Sequence, residues 1–482
     1  MEHFNGGRSG SLTLSSNAHA VTSSIRNFIQ TKQIDRMEKH EDYHFGDDPN
    51  DKVELLKWED GKPRRLVRIE TDGNWEERNE FLTVFPGLKE GDLVELHLLE
   101  QGIEQMNRLP SNSAKIQLLP GAEPDEVIVR IANKRGKPFR FSTGIINYGR
   151  DVSGETKLTN HFEFDNLLGV NDSWKFDYDT AIKAPKGKSD KYYSGFFSIP
   201  YAHWTFTLFG ESYLYQTPHG KAGEIEHRGD VKVYSVELER VVQHDKNSKT
   251  VAGMELTNKE HNGYFDDVKQ DFSTELAILT SSLHHNRELL GGKVSGQLAY
   301  SRGLELFGAD KDPAEVTSTT PRPQFDKLKL KLSYHLPFEF EDQKLGWTSA
   351  FTGQWSPDTL PALERLVIGG NSTVRGFKDS YLFGDNGGYL RNELSWSLPK
   401  TDVESLDGLI GGTQLFLTHD AGMLLKDKDS PNERGTVQSL SAGLRLNGGL
   451  IRGQLVFAKP LSAPSFIDKQ SHEIYARITL NF

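Results

Sequence analysis

Ile474-Tyr475-Ala476-Arg477-Ile478-Thr479-Leu480-Asn481-Phe482 closes the chain and decides how it is read. Ile474, Ala476, Ile478, Leu480 and Phe482 share one face, and Tyr475, Arg477, Thr479 and Asn481 share the other. Successive side chains point to opposite sides of a strand, so this is a strand with one oily and one wet face. The pattern recurs upstream. Leu328, Leu330, Leu332, Tyr334 and Leu336 alternate with Lys327, Lys329, Lys331, Ser333 and His335. Trp347, Ser349, Phe351, Gly353 and Trp355 repeat it, as do Leu440, Ala442, Leu444 and Leu446, then Val294, Gly296, Leu298 and Tyr300, and Trp204, Phe206 and Leu208. Such segments run from about Phe139 to Phe482, roughly 344 residues with no second kind of element. A soluble sandwich also alternates but spans only about 100 residues. Here the strands approach ten residues, and aromatics (Tyr192, Tyr193, Tyr201, Tyr213, Tyr215, Trp355, Tyr381, Tyr389) fall near their ends. That is the pattern of membrane-crossing strands between aromatic girdles. At about 20 residues per strand and connection, with even parity for closure, residues 139–482 predict an all-β transmembrane barrel of about 16 antiparallel strands.

Composition is compatible. The chain has 482 residues and a net charge of −11, with a mean hydropathy of −0.57. No stretch nears the roughly 18 apolar residues of a membrane helix. A barrel reads as hydrophilic because half of every strand faces water. Cysteine is absent, which removes disulfide frameworks and thiol sites and suits an oxidising periplasm. The acidic balance argues against nucleic acid as a partner. Residues 1–20 lack the apolar run of a secretory signal, so an exported protein is expected to start here at a mature, trimmed or altered terminus.

The material before the barrel differs. Leu66-Val67-Arg68-Ile69 reads as a short strand and Phe85–Asp92 as a turn-rich approach to a helix. Leu96, Leu99, Ile103, Met106 and Leu109 mark one helical face, which Pro110-Ser111-Asn112 stops. Strands follow near Ala114–Leu119 and Val127–Ala132. Residues 66–134 therefore predict a small α+β module too charged outside to enter lipid. Upstream, Val53–Leu56 reads as a strand and Val21–Ile34 as a helix, while Glu38–Asp51 reads as neither.

Gly369-Gly370-Asn371-Ser372-Thr373-Val374-Arg375-Gly376-Phe377 lies in a connection too long for a hairpin. Long connections in β proteins are functional or disordered, and the apolar flanks of Arg375 predict a packed one. A packed arginine requires a carboxylate, because an unpaired buried charge is costly.

A soluble α+β module, a barrel, a Val374-Arg375-Gly376-Phe377 loop and a terminal phenylalanine together resemble the Omp85 superfamily. Within it the chain resembles the two-partner secretion (TpsB) transporters, the group that includes exporters of filamentous haemagglutinin, haemolysin and contact-dependent inhibition toxins. Phe85-Pro86-Gly87, Asp92, Met106-Asn107-Arg108-Leu109-Pro110-Ser111-Asn112 and Leu118-Leu119-Pro120-Gly121 are similar to the second POTRA domain of that group. Asn147-Tyr148-Gly149 with Gly154, Asp165-Asn166-Leu167-Leu168-Gly169 and Asn171-Asp172 are similar to its first barrel hairpin, and Asp420-Ala421-Gly422 to a late motif. The group carries a plug helix, a linker and two POTRA domains, more than the residues before Leu66 can hold. Residues 1–65 are accordingly read as plug helix and linker or as part of a first POTRA.

The resemblance implies that loop 357–388 folds into the lumen with its arginine on acids of two late strands. Leu390, Asn392, Leu394, Trp396 and Leu398 put Glu393 on the opposite, inward face. Asp420 ends the Leu415–Asp420 segment beside Ala421-Gly422, where little bulk obstructs a loop. The expected latch is therefore Arg375 on Asp420 with Glu393 nearby and Val374, Gly376 and Phe377 packing around it. Its bland alternative is a fastener that only stabilises the barrel. The fold also implies capture of an unfolded exoprotein, through its amino-terminal secretion domain, at Leu96–Ala132. The candidate docking residues are Leu96, Arg108, Asn112, Lys115 and Gln117.

Other motifs carry less. Arg228-Gly229-Asp230 reads as a polar turn. His284 and His285 are strand neighbours facing opposite sides, so they cannot chelate together. His419-Asp420 lacks a Gly-x-Ser-x-Gly elbow, and there is no Walker loop. The Lys327, Lys329 and Lys331 row reads as a solvated lumen face or a contact for an acidic passenger. No catalytic residue, metal site or cofactor is expected. The reading is an outer-membrane exporter that works without ATP. The competing classes are a barrel-assembly protein, which would carry more POTRA units, and a passive porin, which would lack both module and loop motif.

Overall fold

The computed structural model describes residues 62, 64–71, 79–151, 153–182, 184, 187–219, 225–245, 247–270, 273–399, 409–425 and 434–482. The segments Val21–Ile34, Glu38–Asp51 and Val53–Leu56 lie outside them.

Near the amino terminus, β1 (Arg64–Thr71), α1 (Asn79–Val84), β2 (Leu93–Val94), α2 (Leu96–Asn107), β3 (Asn112–Pro120) and β4 (Glu126–Arg135) form one module. Its sheet order is β2-β1-β4-β3. β1 runs parallel to β4, and the other pairs are antiparallel. The three-and-four spacing on α2 turns Leu99, Ile103 and Met106 onto Leu66, Val127, Val129 and Ile131, closing an apolar core. The sequence anticipated α2, β1, β3 and β4 within a few residues. It missed α1, whose Phe81 and Val84 complete that core.

From Phe139 the chain forms sixteen long antiparallel strands, Phe139–Ile146 through Glu473–Asn481, closed into a barrel. Closure pairs Glu473–Asn481 with Phe139–Ile146, Arg477 opposite Ile146 and Asn481 opposite Ser142. The terminal Phe482 exchanges backbone hydrogen bonds with Phe141, at 2.8 and 3.3 Å, and their rings stack at 5.9 Å. Leu328, Leu332, Trp347, Phe351, Leu440, Ile478 and Leu480 are exposed on the outer surface. This is the burial expected when the apolar face meets lipid rather than a protein core.

One expectation fails. Tyr192, Tyr213 and Tyr215 are not girdle residues. They are buried inside the barrel, where Tyr192 donates to Glu211 (2.9 Å), Tyr213 to Asp190 (2.6 Å), and Tyr215 pairs with His261 (3.2 Å). Tyr389 is likewise inside and buried. A buried hydroxyl needs a partner, and these find theirs on the wet face.

The module is docked to the barrel rim formed by the turns around Asp165–Asp172 and Ala202. The Ala202 N–H donates to Thr83 O (2.7 Å), and Gln105 Nε2 to Ala202 O (3.2 Å). Asn171 Nδ2 donates to Glu80 O (2.6 Å). The Ser111 N–H donates to Asp165 Oδ2 (2.9 Å), while Arg140 forks onto both oxygens of Asp165 at 2.8 Å.

Candidate lumen latch and docking edge

The connection between strands Gln343–Trp355 and Gly387–Ser397 turns back into the barrel and is mostly buried. It folds on itself as a short hairpin, Leu366–Ile368 against Leu382–Gly384. Leu366, Ile368, Val374, Phe377 and Leu382 pack with Tyr389, Leu424 and Val437 of the wall. Arg375 is thereby carried into a place with almost no solvent, 2% exposed.

Asp420, fully buried on strand Gly412–Leu424, receives it. Arg375 Nε donates to Oδ2 at 2.6 Å and Nη2 to Oδ1 at 2.9 Å, and the Arg375 backbone N–H reaches Oδ2 at 3.3 Å. A two-pronged fork fixes direction as well as distance. Gly376 follows at φ +89°, and a Cβ there would stand 3.1 Å from Pro460. Only glycine takes that backbone readily, and its N–H donates to Tyr475 Oη at 3.0 Å. At Gly422 an added Cβ would collide with Ile368 and Val374. The small residues beside Asp420 are therefore the loop's footprint.

The structure brings Arg375 and Asp420 together but gives Glu393 another partner. Arg445 takes Glu393 at 3.0 and 3.2 Å. The second charged neighbour of Asp420 is Arg391, directly opposite it in the ladder, with Nε 3.8 Å from Oδ1. Arg391 was not anticipated, although its parity with Glu393 placed it on the same inward face.

The candidate docking residues separate. Arg108 is turned into the junction, donating to Ser198 Oγ and, at 2.6 Å, to Asn171 O. Its guanidinium faces a hydroxyl and a carbonyl of the rim. Asn112 is spent at the end of α2, donating to Met106 O at 3.0 Å and accepting from Asn133 at 3.1 Å. Leu96 packs on the module's core. Lys115 and Gln117 lie on β3, the edge of the sheet, with Lys115 exposed.

Residues 125–446 match the family of haemolysin secretion/activation proteins ShlB/FhaC/HecB. The chain belongs to that family. Residues 65–120 match a POTRA domain. Among curated relatives, an outer membrane transporter CdiB of Escherichia coli is 31% identical over 421 residues, covering 87% of this chain and 70% of the relative. The haemolysin transporter ShlB of Serratia marcescens is 30% identical over 376 residues, covering 76% and 64%. A solved structure of CdiB from Escherichia coli superposes with a TM-score of 0.80 at 30% identity, covering 87% of this chain and 76% of that one. With the closed barrel and the POTRA domain, this makes the chain a TpsB-type outer-membrane transporter whose POTRA domain lies in the periplasm.

Proposed function

We propose that this transporter takes an unfolded exoprotein by its amino-terminal secretion domain along the open edge of β3 and passes it outward through the barrel without nucleotide hydrolysis. The protein moves a chain and carries out no chemistry on it. One observation carries this reading: inside a closed barrel with a POTRA domain docked on its rim, a buried loop is held by the Arg375–Asp420 fork. A loop pinned so directionally shapes a path. β3 is last in its sheet, and Asn107 takes both backbone groups of Ala114 at its start, so strand addition by an extended client is assigned to the edge from Lys115 and Gln117 onward. The sequence supplies no phosphate-cradling loop, so the bias outward is assigned to folding of the exported chain beyond the membrane.

The test is reconstitution. Purified transporter in nucleotide-free proteoliposomes, offered a denatured exoprotein that carries an amino-terminal two-partner secretion domain, is expected to move that chain to the protease-protected side. A transfer that appears only after a nucleotide and a soluble ATPase are added overturns the proposal.

A further inference from the structure

The loop has a second foot, of opposite charge. Glu364, in the short 3-10 turn Ala362–Glu364, is 6% exposed. Lys259 Nζ reaches its Oε1 at 2.8 Å and Lys327 Nζ pairs with its Oε2. The two lysines stand on strands Ser248–Phe265 and Asp326–Phe340, separated in the ring by two others. Leu360 and Leu363 of the same segment pack into the wall cluster of Tyr192, Tyr213, Tyr215, Val231 and Leu276. Arg375, eleven residues on from Glu364, is anchored at Asp420 in a different apolar cluster. The loop therefore braces the lumen from one wall to another, and a polypeptide passing it needs one foot to yield.

We infer that Glu364 is the foot that yields, a releasable positioning residue, while the Arg375 end stays fixed during export. The inference rests on the transport reading above and names its moving part. Three contrasts assign the roles. Arg375 makes a rigid two-pronged fork with a backbone bond on the same carboxylate, whereas Glu364 is held by ammonium groups on flexible stems, which let go without a fixed geometry to restore. Glu364 is nearly as buried as Asp420, 4% against 0%, but its Lys259 and Lys327 partners are 19% and 10% exposed against 3% for Arg375, so water reaches the cation side of this pair more readily. Beyond Phe377, Lys378 reaches Glu155 Oε1 at 3.1 Å and the Arg150 side chain donates to Asp379 O at 2.7 Å. These tie the Arg375 end to the outer connection between the first two strands as well.

The segment around Glu364 is also built to move as a piece. Arg365 Nε sits 3.1 Å from Asp385 Oδ1 and donates to Leu360 O at 3.1 Å, both within the loop. Wall contacts that must break with the lysine pair are the packing of Leu360 and Leu363 and the bonds from Gln354 Nε2 to Glu364 O (3.0 Å) and Asp385 O (3.1 Å). Once Glu364 leaves, Lys259 and Lys327 join Lys329 and Lys331 as a cationic wall along the opened path.

Because the chain has no cysteine, paired cysteines report cleanly. Glu364→Cys with Lys327→Cys, bridged by a short bis-methanethiosulfonate that forms a mixed disulfide at each thiolate and releases methanesulfinate, is expected to cut secretion per folded barrel at least tenfold and to recover on reduction. Lys378→Cys with Glu155→Cys, bridged the same way, is expected to secrete within twofold of its unbridged form. Full secretion by the bridged 364–327 pair, or loss in the bridged 378–155 pair, overturns the assignment. Glu364→Gln gives an independent reading that needs no reagent. The barrel is expected to stay heat-resistant while passive uptake of a large antibiotic rises severalfold, and uptake unchanged from wild type overturns the releasable foot. Normal secretion by Arg375→Ala would instead strike the latch reading and leave these outcomes separately readable.

Discussion

Removing one end of the Arg375–Asp420 pair is not equivalent to removing the other. Asp420→Ala leaves Arg375 2% exposed, with Nε, Nη2 and its backbone N–H all deprived of their acceptor. Arg391, 3.8 Å from the lost carboxylate, then adds a like charge. Stranding a buried charge of this kind costs about 3–5 kcal/mol. Arg375→Ala leaves Asp420 buried, but Arg391 already sits opposite it in the ladder and can close the gap. The expected cost is nearer that of a lost buried hydrogen-bond partner, about 1–3 kcal/mol. The double substitution should fall close to the milder single, because contacting residues do not add. The measurement is the temperature at which the folded barrel loses its gel mobility, with secretion normalised to folded barrel for all three variants. Asp420→Ala should be the least heat-resistant and the poorest secretor. Equal losses, or a worse Arg375→Ala, would refute the role given to Arg391, and simple additivity would refute the pairing itself.

The POTRA core and surface give further tests. Leu99→Ala or Met106→Ala, each at a fully buried site, should destabilise the domain by about 2–5 kcal/mol, read as protease sensitivity of the amino-terminal region with the barrel intact. Removing residues 64–135 should leave a barrel that inserts and retains no exoprotein in pull-downs; binding by the barrel alone would count against the β3 edge. Glu70 is held below its ordinary 4.5 by the Arg130 hydrogen bond, with Arg68 adding to it. A depressed carboxyl contributes stability that is present above 4.5 and lost as pH falls through the lower folded value. Glu70→Gln should flatten the acid limb of the domain's thermal stability curve below that pH, and an unchanged curve would remove the pair from the account.

Much of this was readable because lipid and water impose opposite demands on alternate residues. Ile474 to Phe482 needs no partner to be recognised. Arg375 pointed to Asp420 because the family resemblance places the loop in the lumen on acids of late strands, and of these Asp420 stands beside Gly422, which leaves room for the loop. What stayed hidden depends on register. Arg391 and Glu393 share a face in the sequence, and only the ladder puts Arg391 opposite Asp420 and leaves Glu393 to Arg445. The buried tyrosines were misplaced for lack of parity, yet Glu211 shares their face with Tyr213 and Tyr215 and marks it as the wet one. The helix Asn79–Val84 is short and ends in β-branched residues, so tertiary packing rather than propensity sets it. Arg108 looks like a free basic residue until the barrel rim closes on it.

The central claim, that the exported chain travels through the lumen past this loop, is most directly tested by where a trapped client touches the barrel. Lys329 shares the inward face of its strand with Lys327, which contacts the loop; Leu332, 44% exposed, lies on the outer face. With a photoreactive residue at either position and an exoprotein stalled by a fused folded domain, an adduct should form at Lys329 and none at Leu332. An adduct at Leu332, or none at Lys329 while secretion proceeds, would contradict passage through the lumen.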